Sequence, residues 1–126
     1  MISKSTDYPV FFSDNKAELN EYPTPADKCI KGQPTQRTWN HFASADEAFF
    51  AGIWEAEPGS WKVSYTEVEF CQILSGSSVL RHADCQEFRL QAGDNFVIPA
   101  GFSGEWEVLE TTRKIYAIYE PAKPAR

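Results

Sequence analysis

From residue 36 onward the chain is a succession of short runs rich in Val, Ile, Phe, Tyr, Trp and Thr, each bounded by Gly, Pro, Asp or Ser. The runs are QRTWNHF, AFFAGIWEA, WKVSYT, EFCQIL, SVLRHA, QEFRLQ, NFVIP, EWEVLE and RKIYAIYE. Runs of this type at a spacing of about 8–12 residues predict antiparallel strands of a sandwich or barrel. In EWEVLE the alternation is explicit: Trp106 and Val108 face one way and the intervening glutamates the other. No segment between runs is long enough for a crossover helix, which excludes a parallel sheet. SADE at 44–47 matches a capping box, but the glycine in the following FFAGIWEAE breaks a helix, so a hairpin turn is expected there. The fold class is all-β.

Residues 1–35 have a different texture. They hold four of the eight prolines and sustain neither a period of two nor one of 3.6. They predict an irregular N-terminal arm with at most a short strand at Val10-Phe11-Phe12, and too apolar to stay in water. The expected organisation is therefore an arm over 1–35 packed on a single domain over 36–126.

Net charge narrows the partners. Eighteen acidic against 12 basic residues leave −6, the wrong sign for a nucleic-acid backbone. No apolar run approaches membrane-spanning length, and MISKSTDYPVFF lacks the apolar core of a secretory signal, so a cytoplasmic protein that engages no membrane is expected. Three cysteines, Cys29, Cys71 and Cys85, without C-x-x-C spacing argue for free thiols in a reducing compartment.

Two stretches carry a more specific pattern. In WKVSYTEVEFCQILSG, Glu69 precedes Gly76; in GDNFVIPAGFSG, Gly93 precedes Pro99 and Gly101. Together they resemble the two motifs of the cupin superfamily, and the region from about 50 to 120 is most similar to the small single-domain cupins grouped with ureidoglycine aminohydrolase and ethanolamine-utilisation proteins. The resemblance implies a jelly-roll-like β-barrel, with Gly76 turning the chain between two strands. It also implies a metal held by histidines, but the positions where those would stand carry Val63, Tyr65 and Gly104, and only Glu69 remains. No metal and no other cofactor is expected on this donor set, and glycine at 104 is expected to leave space lined by Trp106. His41 and His82 are read as structural or surface residues.

Glu69 is the leading candidate for the site. A carboxylate that shares a strand face with Cys71 and Ile73 is costly to bury unless paired or protonated. It is a candidate acid or base, and with Tyr65, Cys71, Trp106, Lys114 and Tyr116 a candidate ligand-binding set. Lys114 shares the parity of Tyr116 and so faces Glu69, whereas Arg113 faces solvent. The expected function is binding of a small polar metabolite, an amine, ureide or carboxylate, by a homodimer, with metal-free catalysis through Glu69 left open. Two alternatives remain open: an aminohydrolase-like metal enzyme with an unorthodox ligand set, and a non-catalytic protein-interaction subunit.

Overall fold

The nine apolar runs become seven strands, because two pairs of runs are continuous. In a computed structural model that describes residues 7–121, EFCQIL and SVLRHA join into one strand, β6 (Val68–His82), and EWEVLE and RKIYAIYE into another, β9 (Ser103–Tyr119). The other five are β3 (Thr35–Ala43), β4 (Phe49–Ala56), β5 (Gly59–Ser64), β7 (Glu87–Gln91) and β8 (Asn95–Ile98). β3 and β4 form the expected hairpin, and Ser44 organises its turn by accepting from the backbone N–H groups of Ala48 (3.2 Å) and Phe49 (2.9 Å).

Gly76 therefore does not turn between two strands. It lies inside β6 with φ +90°, among register shifts between Ile73 and Ser78, where the ladder to β9 slips. A β-carbon there would collide with the backbone of Thr111 and Thr112. The extra residues of a bulge bend a strand without ending it, so β6 and β9 run on through the corner together. Before the bend β6 pairs with β8 and after it with β7. β9 pairs with β5 along 103–108 and with β4 along 112–119.

The arm is not irregular throughout. Residues 12–14 form a single 3-10 turn in place of the expected strand, and the Phe12 ring stacks on His41 with centroids 4.3 Å apart. Two strands appear beyond it: β1 (Leu19–Pro23), antiparallel to β3, and β2 (Cys29–Lys31), antiparallel to β5. Both are edge strands whose residues are mostly exposed, so neither carries the apolar alternation that marks a strand in sequence. β1 is tied down by charge: Arg37 in β3 reaches Glu21 at 2.7 Å, Glu55 at 3.1 Å and Glu57 at 2.7 Å.

One curled sheet results, in the order β1-β3-β4-β9-β5-β2 with β6 carrying β7 and β8. Its concave face gathers Trp54, Trp61, Cys71, Ile73, Leu80, Leu90, Ile98, Trp106, Val108 and Tyr116 into one core. These residues come from six strands, and together with the two motifs they bear out the expected cupin-type barrel. The second motif staples it at both ends. Gly93 N–H donates to Ile73 C=O and Ile73 N–H to Asp94 C=O, both at 2.9 Å, while Gly101 N–H donates to Tyr65 C=O at 2.7 Å.

Because the bend at Gly76 combines a positive φ with a backbone contact, Gly76→Ala is expected to cost about 3 kcal/mol. Urea unfolding of the two proteins checks this; a loss below about 0.5 kcal/mol would show that the bend has another cause.

Candidate functional site

The barrel holds a cavity of about 560 Å³, and a buried ion pair lies among its walls. β6 alternation turns Glu69 inward with Cys71 and Ile73, and β9 alternation turns Lys114 inward between Thr112 and Tyr116. Lys114 Nζ meets Glu69 Oε2 at 2.9 Å, with Glu69 5% and Lys114 4% exposed. The ammonium also lies 4.6 Å from the Trp54 ring centroid and 4.5 Å from that of Trp106. Both rings are held with their faces toward it. Trp54 Nε1 donates to Gln36 Oε1 at 2.9 Å and Trp106 Nε1 to Ser78 Oγ at 3.2 Å, so each indole N–H is engaged elsewhere. A carboxylate and two π-faces thus surround one cation, which is what a desolvated ammonium requires.

The pair sets the titration of its neighbours. Burial opposes the charge on Lys114, but the Glu69 carboxylate outweighs it and holds the ammonium well above its ordinary range. Burial pushes the Cys71 thiol from 9.0 up to about 12 and the Tyr116 hydroxyl from 10.0 to about 12. Tyr65 is raised as well, again chiefly by burial. At neutral pH the Lys114 ammonium is therefore flanked by a neutral thiol and neutral phenols.

All six candidate residues, Tyr65, Glu69, Cys71, Trp106, Lys114 and Tyr116, face this interior; Cys71 is completely buried, and the other five line the cavity. The structure adds residues that the sequence analysis passed over. Trp54 and Trp61 complete the aromatic wall, with ring centroids 6.2 Å apart. Asn40 accepts the Tyr116 hydroxyl at 2.7 Å. Tyr22, from the arm, hydrogen-bonds Thr38 at 3.2 Å. Trp54 was legible, since it shares the inward parity of Phe50 and Ala56 in its run; Tyr22 had no signal, because its strand shows no alternation. Arg113 lies on the outer face, where it pairs with Glu55 at 3.1 Å and covers the Trp39 ring.

Residues 43–116 match the model of the EutQ-like cupin domain. The chain belongs to that family. Among solved structures this cupin is similar to a Pseudomonas syringae protein of unknown function, with TM-score 0.73 and 22% identity over 83% of the chain and 46% of the Pseudomonas chain. The Clostridium difficile EutQ protein superposes with TM-score 0.61 and 19% identity over 69% and 64% of the two chains. A Thermotoga maritima DUF861-family protein shares 34% identity over 51% and 73%, with TM-score 0.50. This cupin thus spans less than two thirds of the length of the Pseudomonas and Clostridium chains. No curated protein sequence matches it.

Metal-binding cupins imply an ion at this position, and the residues present do not fit one. Val63 and Gly104 offer no donor and stand opposite each other in the β5–β9 ladder. Glu69 is committed to Lys114, and no cluster of three or more His, Cys, Asp or Glu capable of holding a metal occurs among the described residues. Gly104 is also not a space. A β-carbon there would run into the carbonyl oxygen of Arg81, so the glycine permits close approach of β6 and β9 and leaves no room that Trp106 lines. The sequence expectation of an opening at 104 is corrected accordingly.

Cys71, Tyr65, Tyr116 and Lys114 all have folded pKa values raised above their unfolded ones. The stability they contribute is complete below the unfolded values and is lost as pH rises, starting with Cys71 near its ordinary value of 9.0. Stability is expected to be flat from pH 7 to about 9 and to decline steadily above that. Urea midpoints across pH 7–11 check this, and a flat profile to pH 11 would contradict the buried cluster.

Proposed function

We propose that this cupin binds a small polar metabolite, an amine, ureide or carboxylate, in the barrel without a metal ion. The observation that carries the reading is the cavity itself. Bulky side chains do not fill the barrel, and the space is walled by Trp54, Trp61, Tyr65 and Trp106 around a pair whose charges cancel locally. Aromatic walls that carry convergent polar groups, here Gln36, Asn40 and Lys114 among them, suit a small polar molecule. Glu69 here is paired with Lys114, which favours binding over acid–base catalysis. A thermal-shift screen of amines, ureides and carboxylates, with and without zinc or manganese after chelator treatment, tests it. At a ligand concentration about a hundredfold above Kd the gain is about 2.7 kcal/mol, a shift of several degrees. Stabilisation by metal alone would return the metal-enzyme reading; no stabilisation by any compound would remove the binding role.

A specific surface supports self-association. On the outer face Val68 lies opposite Tyr119, which also faces Phe49 across β4, and Phe70 lies opposite Val97. All five side chains are exposed, and they form an apolar patch of the kind that marks an interface. A second copy of this chain is the proposed occupant, as a two-fold dimer. Light scattering is expected to give a dimer for the full chain and a monomer for Phe70→Glu; a monomer at micromolar concentration for both would refute it.

A further inference from the structure

The charge and hydrogen-bonding balance of the cavity narrows the ligand further, on the premise that the cavity binds a metabolite at all. On the β3 side the polar groups satisfy one another. Gln36 Oε1 accepts from Trp54 and Tyr22, and Asn40 accepts from Tyr116. The acceptors there are consumed.

The β5 side is different. The indole N–H of Trp61 and the hydroxyl of Tyr65 have no hydrogen-bond partner among the described residues. Among those residues Ser60 Oγ is the sole completely enclosed side-chain polar atom without one. The Trp61 and Tyr65 groups are therefore open, and both line the cavity; Trp61 is otherwise 94% buried, its exposure being 6%. Two unengaged donors lining the cavity call for an acceptor.

Charge points the same way. Lys28, in the turn before β2, and Lys62, in β5, line the mouth, and Lys62 N–H donates to Lys28 C=O at 2.9 Å. Neither ammonium has an ion-pair partner among the described residues. The remaining carboxylate of the lining is Glu67, since Glu69 is paired with Lys114, and Glu105, opposite Lys62 in the β5–β9 ladder, is paired with Arg81 at 3.0 Å. The lining carries three lysines against two glutamates in a chain whose net charge is −6. A cationic excess in an acidic protein favours an anion.

We infer that the metabolite is a small carboxylate, its oxygens held by Trp61 Nε1 and the Tyr65 hydroxyl near Lys28 and Lys62, with its apolar body against the tryptophan wall. Tyr65 stays protonated throughout the neutral range and remains a donor.

Isothermal titration of the full chain with benzoate, benzamide and benzylammonium at low salt tests this. These probes share one ring and differ in the charge and polarity of the head. Benzoate is expected to bind at least about tenfold tighter than the other two, and Tyr65→Phe to weaken it about tenfold, as loss of a hydrogen bond to a charged group does. Lys62→Gln, an exposed substitution that leaves the core untouched, is expected to flatten the salt dependence of benzoate binding. Equal or tighter binding of the amide or the ammonium overturns the assignment, as does benzoate affinity unchanged in Tyr65→Phe. If amines or ureides stabilise the protein while benzoate does not bind, the carboxylate assignment fails and the binding reading stands. If nothing in either set binds, both fall.

Discussion

A carboxylate and an ammonium 2.9 Å apart in the interior of a small barrel impose requirements on much of what surrounds them. Each ion loses its water, at a cost of several kcal/mol, and their mutual attraction offsets this only with good geometry and further contacts. The contacts here are the faces of Trp54 and Trp106, whose rings pack edge to face beside Lys114. Those faces are available because Gln36 and Ser78 hold the two indole N–H groups. Gln36 is positioned in turn by Thr24 at 2.9 Å, a residue of the arm. A chain of hydrogen bonds therefore runs from the N-terminal arm to the centre of the barrel.

The fold makes this placement possible through two strands of unusual length. β6 and β9 pair along nearly their whole extent, and Glu69 and Lys114 lie at the same end of that ladder, on its inner face. The bend at Gly76 and the close approach at Gly104 let one ladder serve both halves of the curled sheet. The chain carries its own cation beside the one motif carboxylate it retains. In a site that cannot assemble metal ligands, that cation gives Glu69 a partner without an exogenous ion.

Much of this was legible from period and parity. Alternation in EWEVLE and RKIYAIYE places Trp106, Val108, Lys114 and Tyr116 on one face, and the spacing of Glu69, Gly76, Gly93, Pro99 and Gly101 carries the resemblance to cupins. Four features were not legible. Gly76 has the same identity whether it turns a chain or bends a continuous strand, and only the neighbouring backbone decides which. Gly104 looks like an absent side chain in sequence, whereas the Arg81 carbonyl shows that a side chain is excluded. β1 and β2 are edge strands that expose both faces, so burial left no period in LNEYP or CIK. The polar partners Gln36, Asn40 and Tyr22 were missed because their roles depend on pairing between strands far apart in sequence.

Coupling between Glu69 and Lys114 organises the barrel interior, and a double-mutant cycle measures it most directly. Glu69→Leu, Lys114→Met and the double variant are compared with the native chain by urea unfolding. Each single change leaves one buried charge without its partner and is expected to cost about 3–5 kcal/mol, while the double variant removes both charges and recovers much of that loss. A coupling energy of about 2 kcal/mol or more supports a buried pair as the organising element of the barrel. Losses that add to within about 0.5 kcal/mol would mean that the two charges do not depend on each other, and would contradict it.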